Sequence, residues 1–230
     1  MVAMHSIRLS HTNCFLLRSR GPAVLVDTST PGTERKFART LARLNIRPAD
    51  VRCIVLTHCH IDHVGSLNAI RAMTGASVVM HTLDAPVVER GENTIPPAAT
   101  GWGKVFGCLL RMSQGRARYE PFKPQVTIDA EMSLEPFGVA ARVIPTPGHT
   151  PGSLSVILES GEALVGDLAM NGFPMRRGPG IPTFAENVQE VYASWQKVLA
   201  AGAETIYPAH GKPFPATRLR DILTRRTMQQ

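Results

Sequence analysis

Thr57-His58-Cys59-His60-Ile61-Asp62-His63-Val64-Gly65 follows directly on VRCIVL, residues 51–56. That preceding run is apolar and β-branched and reads as a buried strand. Four metal-competent side chains, His58, His60, Asp62 and His63, therefore leave its end within six residues. Residues two apart on an extended chain point the same way, so His58 and His60 can aim at one ion. Asp62 and His63 come where the chain must turn, and can aim at a second point nearby. Imidazole nitrogen together with carboxylate oxygen suits a borderline metal. Cys59 is expected to face away, because alternate residues of an extended segment do. The plain alternative is a polar loop that happens to be rich in histidine.

Working outward, three more strand ends carry the same chemistry. His149 lies in PTPGHTPGS after VAARVI, Asp167 closes EALVGD, and His210 follows ETIYPA. Each comes straight after an apolar run, so all can converge on one rim of a sheet. Taken singly, each is an ordinary loop residue. Together they use five of the eight histidines, and that concentration favours a metal.

The ordered set THCHIDH, TPGHTPG, VGD and PAHG, with LVDTS before it, resembles the metallo-β-lactamase superfamily from about Asn13 to Gly211. The resemblance implies an α/β fold, an αββα sandwich of two mixed β-sheets flanked by helices, with the site at one edge between the sheets. It implies that His58, His60 and His149 bind one metal and that Asp62, His63 and His210 bind a second. Asp167 then bridges the two, and Asp27 is a buried carboxylate bracing the ligand loop. Two divalent ions are implied, zinc first, with iron or manganese as alternatives. The catalytic residues are then Asp62 and Asp167: a metal-bridging hydroxide attacks the substrate, and Asp62 also accepts its proton.

The resemblance leaves several reactions open, because a fold does not set its chemistry. Hydrolysis of an ester, thioester or lactone, as in glyoxalase II-like and lactonase-like enzymes, fits Asp167 best. Met170 stands where lactonase-like members often carry Tyr, and only about twenty residues follow His210, short of a glutathione-binding region. A strict β-lactamase usually lacks the bridging Asp. A persulfide dioxygenase-like oxidoreductase would use His58, His149 and Asp167 on a single iron. A phosphodiesterase or RNA nuclease shares the ligands but wants a larger nucleic-acid cap. A flavodiiron reductase would show Glu at position 60, and a degenerate scaffold would have lost ligands.

Composition narrows the rest. The 230 residues are 43% hydrophobic, ample for a core, and no apolar run nears the ~20 residues that span a membrane. The N-terminus has no basic stretch leading into an apolar one, so a cytoplasmic protein with four free cysteines is expected. The net charge of +7 is dispersed except at Arg218, Arg220, Arg225 and Arg226. The partner expected is a small molecule, acyl-bearing, rather than nucleic acid, and no oligomeric state is indicated.

One domain over 1–230 is expected, with a lid-like insertion at about 82–125 holding one short helix. In it Trp102, Phe106, Leu109, Leu110 and Met112 can line an apolar pocket or simply pack the insertion down. Elsewhere, strands are expected at 4–10, 13–18, 22–27, 51–56, 76–81 and 126–128, then in MSLEPF, VAARVI, SLSVILE, EALVGD and ETIYP. Helices are expected at 33–44, 64–73, 186–200 and 216–227. His81, at the end of its strand, can lie near the site. Arg176 and Arg177 can meet an anionic group or solvent.

Overall fold

The strand Asn13–Arg18 (β2) shows how the chain builds layers. Cys14 and Leu16 pack on one face, Phe15 and Leu17 on the other. Both faces are apolar, so the strand must be covered twice. Ala23–Val26 (β3) and Val51–Val55 (β4) divide in the same way. Leu25 and Ile54 join Cys14 and Leu16, while Val24, Val26, Cys53 and Val55 join Phe15 and Leu17. Helices Glu34–Arg43 (α1) and Leu67–Thr74 (α3) close the first cluster with Phe37, Leu41, Leu67 and Ile70. A second sheet closes the other with Val143, Leu154, Val156 and Leu158.

The computed structural model describes residues 2–114 and 118–228, apart from the side chains of 109–114. It has two six-stranded sheets, each laid out in chain order. The first runs from Ala3–Arg8 (β1) through β2, β3, β4 and Ser77–His81 (β5) to Val126–Ile128 (β6). It is antiparallel up to β3 and parallel beyond. The second holds Met132–Ser133 (β7), Ala141–Pro145 (β8), Leu154–Leu158 (β9), Glu162–Leu164 (β10), Thr205–Tyr207 (β11) and Phe214–Pro215 (β12). Only its β10–β11 pair is parallel. Val188–Ala200 (α6) makes that crossover. It lays Val191, Trp195 and Val198 on the outer face with Ile157 and Ile206, beside Leu219 of Thr217–Thr227 (α7). The result is the αββα sandwich of two mixed sheets.

Asn187 starts α6 by accepting from the Gln189 and Glu190 amides at 2.9 and 3.2 Å. These are two of the donors a helix start leaves without partners. Asn187→Ala is expected to cost about 1 kcal/mol, lowering the melting temperature by roughly 2–4 °C. An unchanged melt would show the cap to be redundant.

Three expectations are corrected. In MSLEPF only Met132–Ser133 pairs, and Glu135–Phe137 coils into a 3-10 turn, since Pro136 has no N–H for a ladder. The helix expected at 64–73 starts later, as α3, and a separate short helix, Ile61–Val64 (α2), precedes it. Among the described residues, 82–125 hold two helices, Ala85–Glu89 (α4) and the fourteen-residue Gly101–Gln114 (α5), in place of one short one. No helix among the described residues is long and apolar enough to cross a membrane.

Candidate metal centre

The chain leaves β4 at Thr57, whose amide donates to Asp27 Oδ1 at 2.8 Å. Asp27 ends β3 in a left-handed turn, φ 62°, which turns its carboxylate across the sheet edge. It also receives the Thr57 hydroxyl and the His63 Nδ1 proton, the latter at 2.8 Å. That bond sets the His63 tautomer and frees Nε2 to face the cleft. His58 and His60 remain on extended backbone, whereas Asp62 and His63 sit on α2, which begins directly after His60. The two pairs therefore project in different directions, as the spacing implied.

The other loops are held against this one. Gly148 adopts φ +134°, and a Cβ there would lie 2.4 Å from the Val191 amide nitrogen, so the loop before His149 can rest on the first turn of α6. His149 donates from Nδ1 to the Phe184 carbonyl at 2.8 Å and turns Nε2 to within 3.0 Å of His60 Nδ1. Gly166, φ +51°, passes so close to Thr57 that a Cβ would meet its Oγ1 at 2.6 Å. This brings Asp167 Oδ1 to the Nε2 edge of the His63 ring. Asn13 pins the His210 loop by donating to the carbonyls of Pro208 and Gly211, at 3.1 and 2.8 Å.

All seven side chains picked out by the sequence meet at one sheet edge. His58, His60 and His149 form one group of closely spaced donor atoms; Asp62, His63 and His210 form another; His58, His63 and Asp167 lie between. Asp167 faces both sides. Its Oδ2 is 3.6 Å from His149 Nε2, and its Oδ1 is 3.5 Å from the Nε2 atoms of His63 and His210. Asp62 Oδ2 lies 3.0 Å from His210 Nε2.

The donor set fits divalent cations. Among the described residues, seven buried side-chain atoms have no hydrogen-bond partner, and five belong here: Nε2 of His58, His60, His63 and His210, and Oδ1 of Asp167. Each such atom left unpaired costs about 1–3 kcal/mol, and an ion at each group would satisfy them. The protonation states divide between the two groups: against burial, Asp27 and Asp62 raise His63, and Asp167 and Asp62 raise His210, so a cation there would displace their protons, whereas the first group is already in the ligating form. Burial, with help from neighbouring histidines, pushes His58 well down and His60 down to about 3. Burial also lowers His149, against the pull of Asp167. These three imidazoles are neutral, the form that ligates. Burial alone would raise both carboxyls, yet His63 and His210 hold Asp62 and Asp167 below the usual carboxylate range.

The profile of the metallo-beta-lactamase superfamily matches residues 7–210. The chain belongs to this superfamily. Its relatives include the probable metallo-hydrolase YflN of Bacillus subtilis, 25% identical over 87% of this chain and 80% of that protein. A hydroxyacylglutathione hydrolase of Anaeromyxobacter dehalogenans is 32% identical over 66% of this chain and 44% of its own length. Among solved structures, the metallo-beta-lactamase family protein TTHA1429 of Thermus thermophilus superposes with a TM-score of 0.69. It is 22% identical over 99% of this chain and 79% of that one. The chain thus joins membership of this superfamily to a His/Asp cluster able to hold metal ions.

The cluster opens into a cleft of about 770 Å³ lined by Ile95, Pro96, Phe106 and Phe184 on an apolar side. Of the insertion aromatics, Phe106 lines it. Trp102 lines an adjoining pocket of about 340 Å³, together with Arg176 and Arg177, so these arginines do not face the cluster. Leu109, Leu110 and Met112 lie outside the described side chains. His81 is buried and accepts the Leu83 amide at 3.1 Å within its own turn, so it is absent from the cluster. Cys59 points into the core under α3.

Sequence reading missed Asp84 and His11. Asp84 is buried and accepts from the Cys59 amide, the Thr150 hydroxyl and the Gly152 amide at 3.0, 2.9 and 3.0 Å. It ties the two ligand loops together. His11 lies 3.5 Å from Asp62 Oδ2 and stacks on His210. Nothing local distinguishes either from an ordinary turn residue.

Proposed function

We propose that this chain is a dinuclear metal-dependent hydrolase cleaving an ester, thioester or lactone bond of a small, acyl-bearing molecule. In this reading His58, His60 and His149 hold one ion, Asp62, His63 and His210 the other, and Asp167 is shared. The observation that carries it is the placement of Asp167, with one oxygen toward each group of histidines. When bound, the two cations, zinc by preference, supply Lewis acidity that lowers the pKa of water and polarises the substrate carbonyl. The protein does the rest. Asp27 fixes the His63 ring, and the buried imidazoles keep bulk water from the inner wall. The Asp62 side chain is 21% exposed against 6% for Asp167, so Asp62 is the carboxylate open to the cleft that takes a proton from the attacking water. The apolar lining from Ile95 to Phe184 supports an acyl group. Four free thiols, one of them, Cys108, exposed, suit the reducing cytoplasm.

The test is elemental analysis of protein purified without added metal. About two zinc ions per chain support the reading, and thioesters, lactones and phosphodiesters are then screened. About one iron per chain, with oxygen uptake on a persulfide, replaces it with the dioxygenase-like alternative. Chelation is expected to lower the melting temperature by several degrees, and added zinc to restore it, since the ions bind the folded chain. A melt indifferent to chelator counts against a bound metal.

A further inference from the structure

The cleft is polarised along the line joining the two halves of the cluster. At the His149 end, Phe184 accepts the His149 proton and stacks on Phe106, ring centroids 6.3 Å apart. The Ala185 amide donates to the Pro97 carbonyl at 3.0 Å, which brings Ile95 and Pro96 to the same apolar end. At the His210 end cations join the lining, beside Phe173, which follows the Gly172–Gly211 contact. Arg8 pairs in register with Asn13, the residue that pins the His210 loop, and Lys212 is the second residue after His210. Both line the cleft and both are exposed. Neither forms a salt bridge among the described residues. The carboxylates lining the cleft are Asp62 and Asp167, and both face the histidines. Two cations therefore line the cleft without a carboxylate among the described residues to match them.

We propose that the substrate is an amphiphilic anion. Its charged group is received by Arg8 and Lys212 beside His210, its apolar arm lies against Phe106 and Phe184 beside His149, and the bond to be cut spans the cluster between them. The inference rests on the hydrolase reading for the bond that is cut, and on the cleft alone for the polarity of its ligand. For a thioester, water adds to the acyl carbon and the C–S bond breaks. The products are a carboxylic acid and a thiol, one proton of water going to the sulfur and the other released as the acid ionises.

The polarity is tested first by binding, with probes that hold a thioether in place of the ester, thioester or lactone bond. Hexylthiopropanoate and its neutral partner hexylthiopropanamide are titrated calorimetrically into the metal-loaded protein. The carboxylate is expected to bind about tenfold tighter, as charge-assisted contacts at an open cleft allow. In Arg8→Met/Lys212→Met its affinity is expected to fall to within about twofold of the amide's, and about 0.5 M salt to have a similar effect. Arg39→Met, an exposed arginine on α1, is expected to keep the wild-type preference. Equal binding of the two probes overturns the proposal. So does a preference that survives the double variant, which would mean that the carboxylate is read by the metal. Turnover is then compared on the hexanoyl thioesters of mercaptopropanoate and mercaptopropanamide. If neither these nor the corresponding oxygen esters and lactones are hydrolysed while the thioether preference persists, the hydrolase reading fails and the charge recognition stands.

Discussion

Asp167→Ala is expected to lower turnover by about a thousandfold or more, roughly 4 kcal/mol of transition-state stabilisation, and to bring the metal content from about two ions per chain to about one. The reason is geometric. One carboxylate presents Oδ1 to His63 and His210 and Oδ2 to His149, so removing it weakens both groups together. No other side chain reaches both sides in this way among the described residues. The fold is expected to survive, because Asp167 Oδ1 has no hydrogen-bond partner in the chain to lose. Circular dichroism and metal analysis of the purified variant decide the matter. A fully active Asp167→Ala protein that retains both ions removes the proposed ligand assignment. His60→Ala is expected to behave similarly in turnover, but to lose metal from the His149 side alone.

Asp84→Ala is expected to cost about 3–5 kcal/mol of stability, which for a chain of this size lowers the melting temperature by roughly 10 °C. Asp84 is only 2% exposed and accepts three hydrogen bonds, two from backbone amides and one from Thr150. Alanine would leave all three donors buried without a partner, and that penalty exceeds what the bonds themselves contribute. A second consequence is specific to its position. The Cys59 amide lies between His58 and His60, and Thr150 follows His149, so the substitution loosens both loops that supply one group of histidines. Zinc affinity is expected to fall by about 10–100-fold, as when a group that orients ligands is lost. Asp84→Asn, which keeps one acceptor oxygen, should recover part of both losses. A stability change below about 1 kcal/mol, or an unaltered zinc affinity, would show that the loops are held by other contacts.

The sequence by itself determined the fold family and the side chains that gather at the sheet edge. The physical reason is that this information is local. An apolar run sets a strand, the strand's end sets an exit, and His58, His60, Asp62 and His63 are placed by spacing alone. Three further strand ends with His149, Asp167 and His210 need only a sheet to bring them to the same rim. The insertion was less legible. Its glycines and prolines left room for one short helix, yet α4 and the fourteen-residue α5 form there, the latter helped by the stacking of Phe106 on Phe184. The tertiary structure alone decided the rest. Asp84 acts on residues 25 and 66 positions away. The Phe184 carbonyl orients a histidine 35 positions before it. Arg8 lines the same cleft as His210 because β1 pairs with β2 and Asn13 bonds across to Gly211. Such roles depend on which distant backbone a side chain meets, and no local pattern of residue types records that.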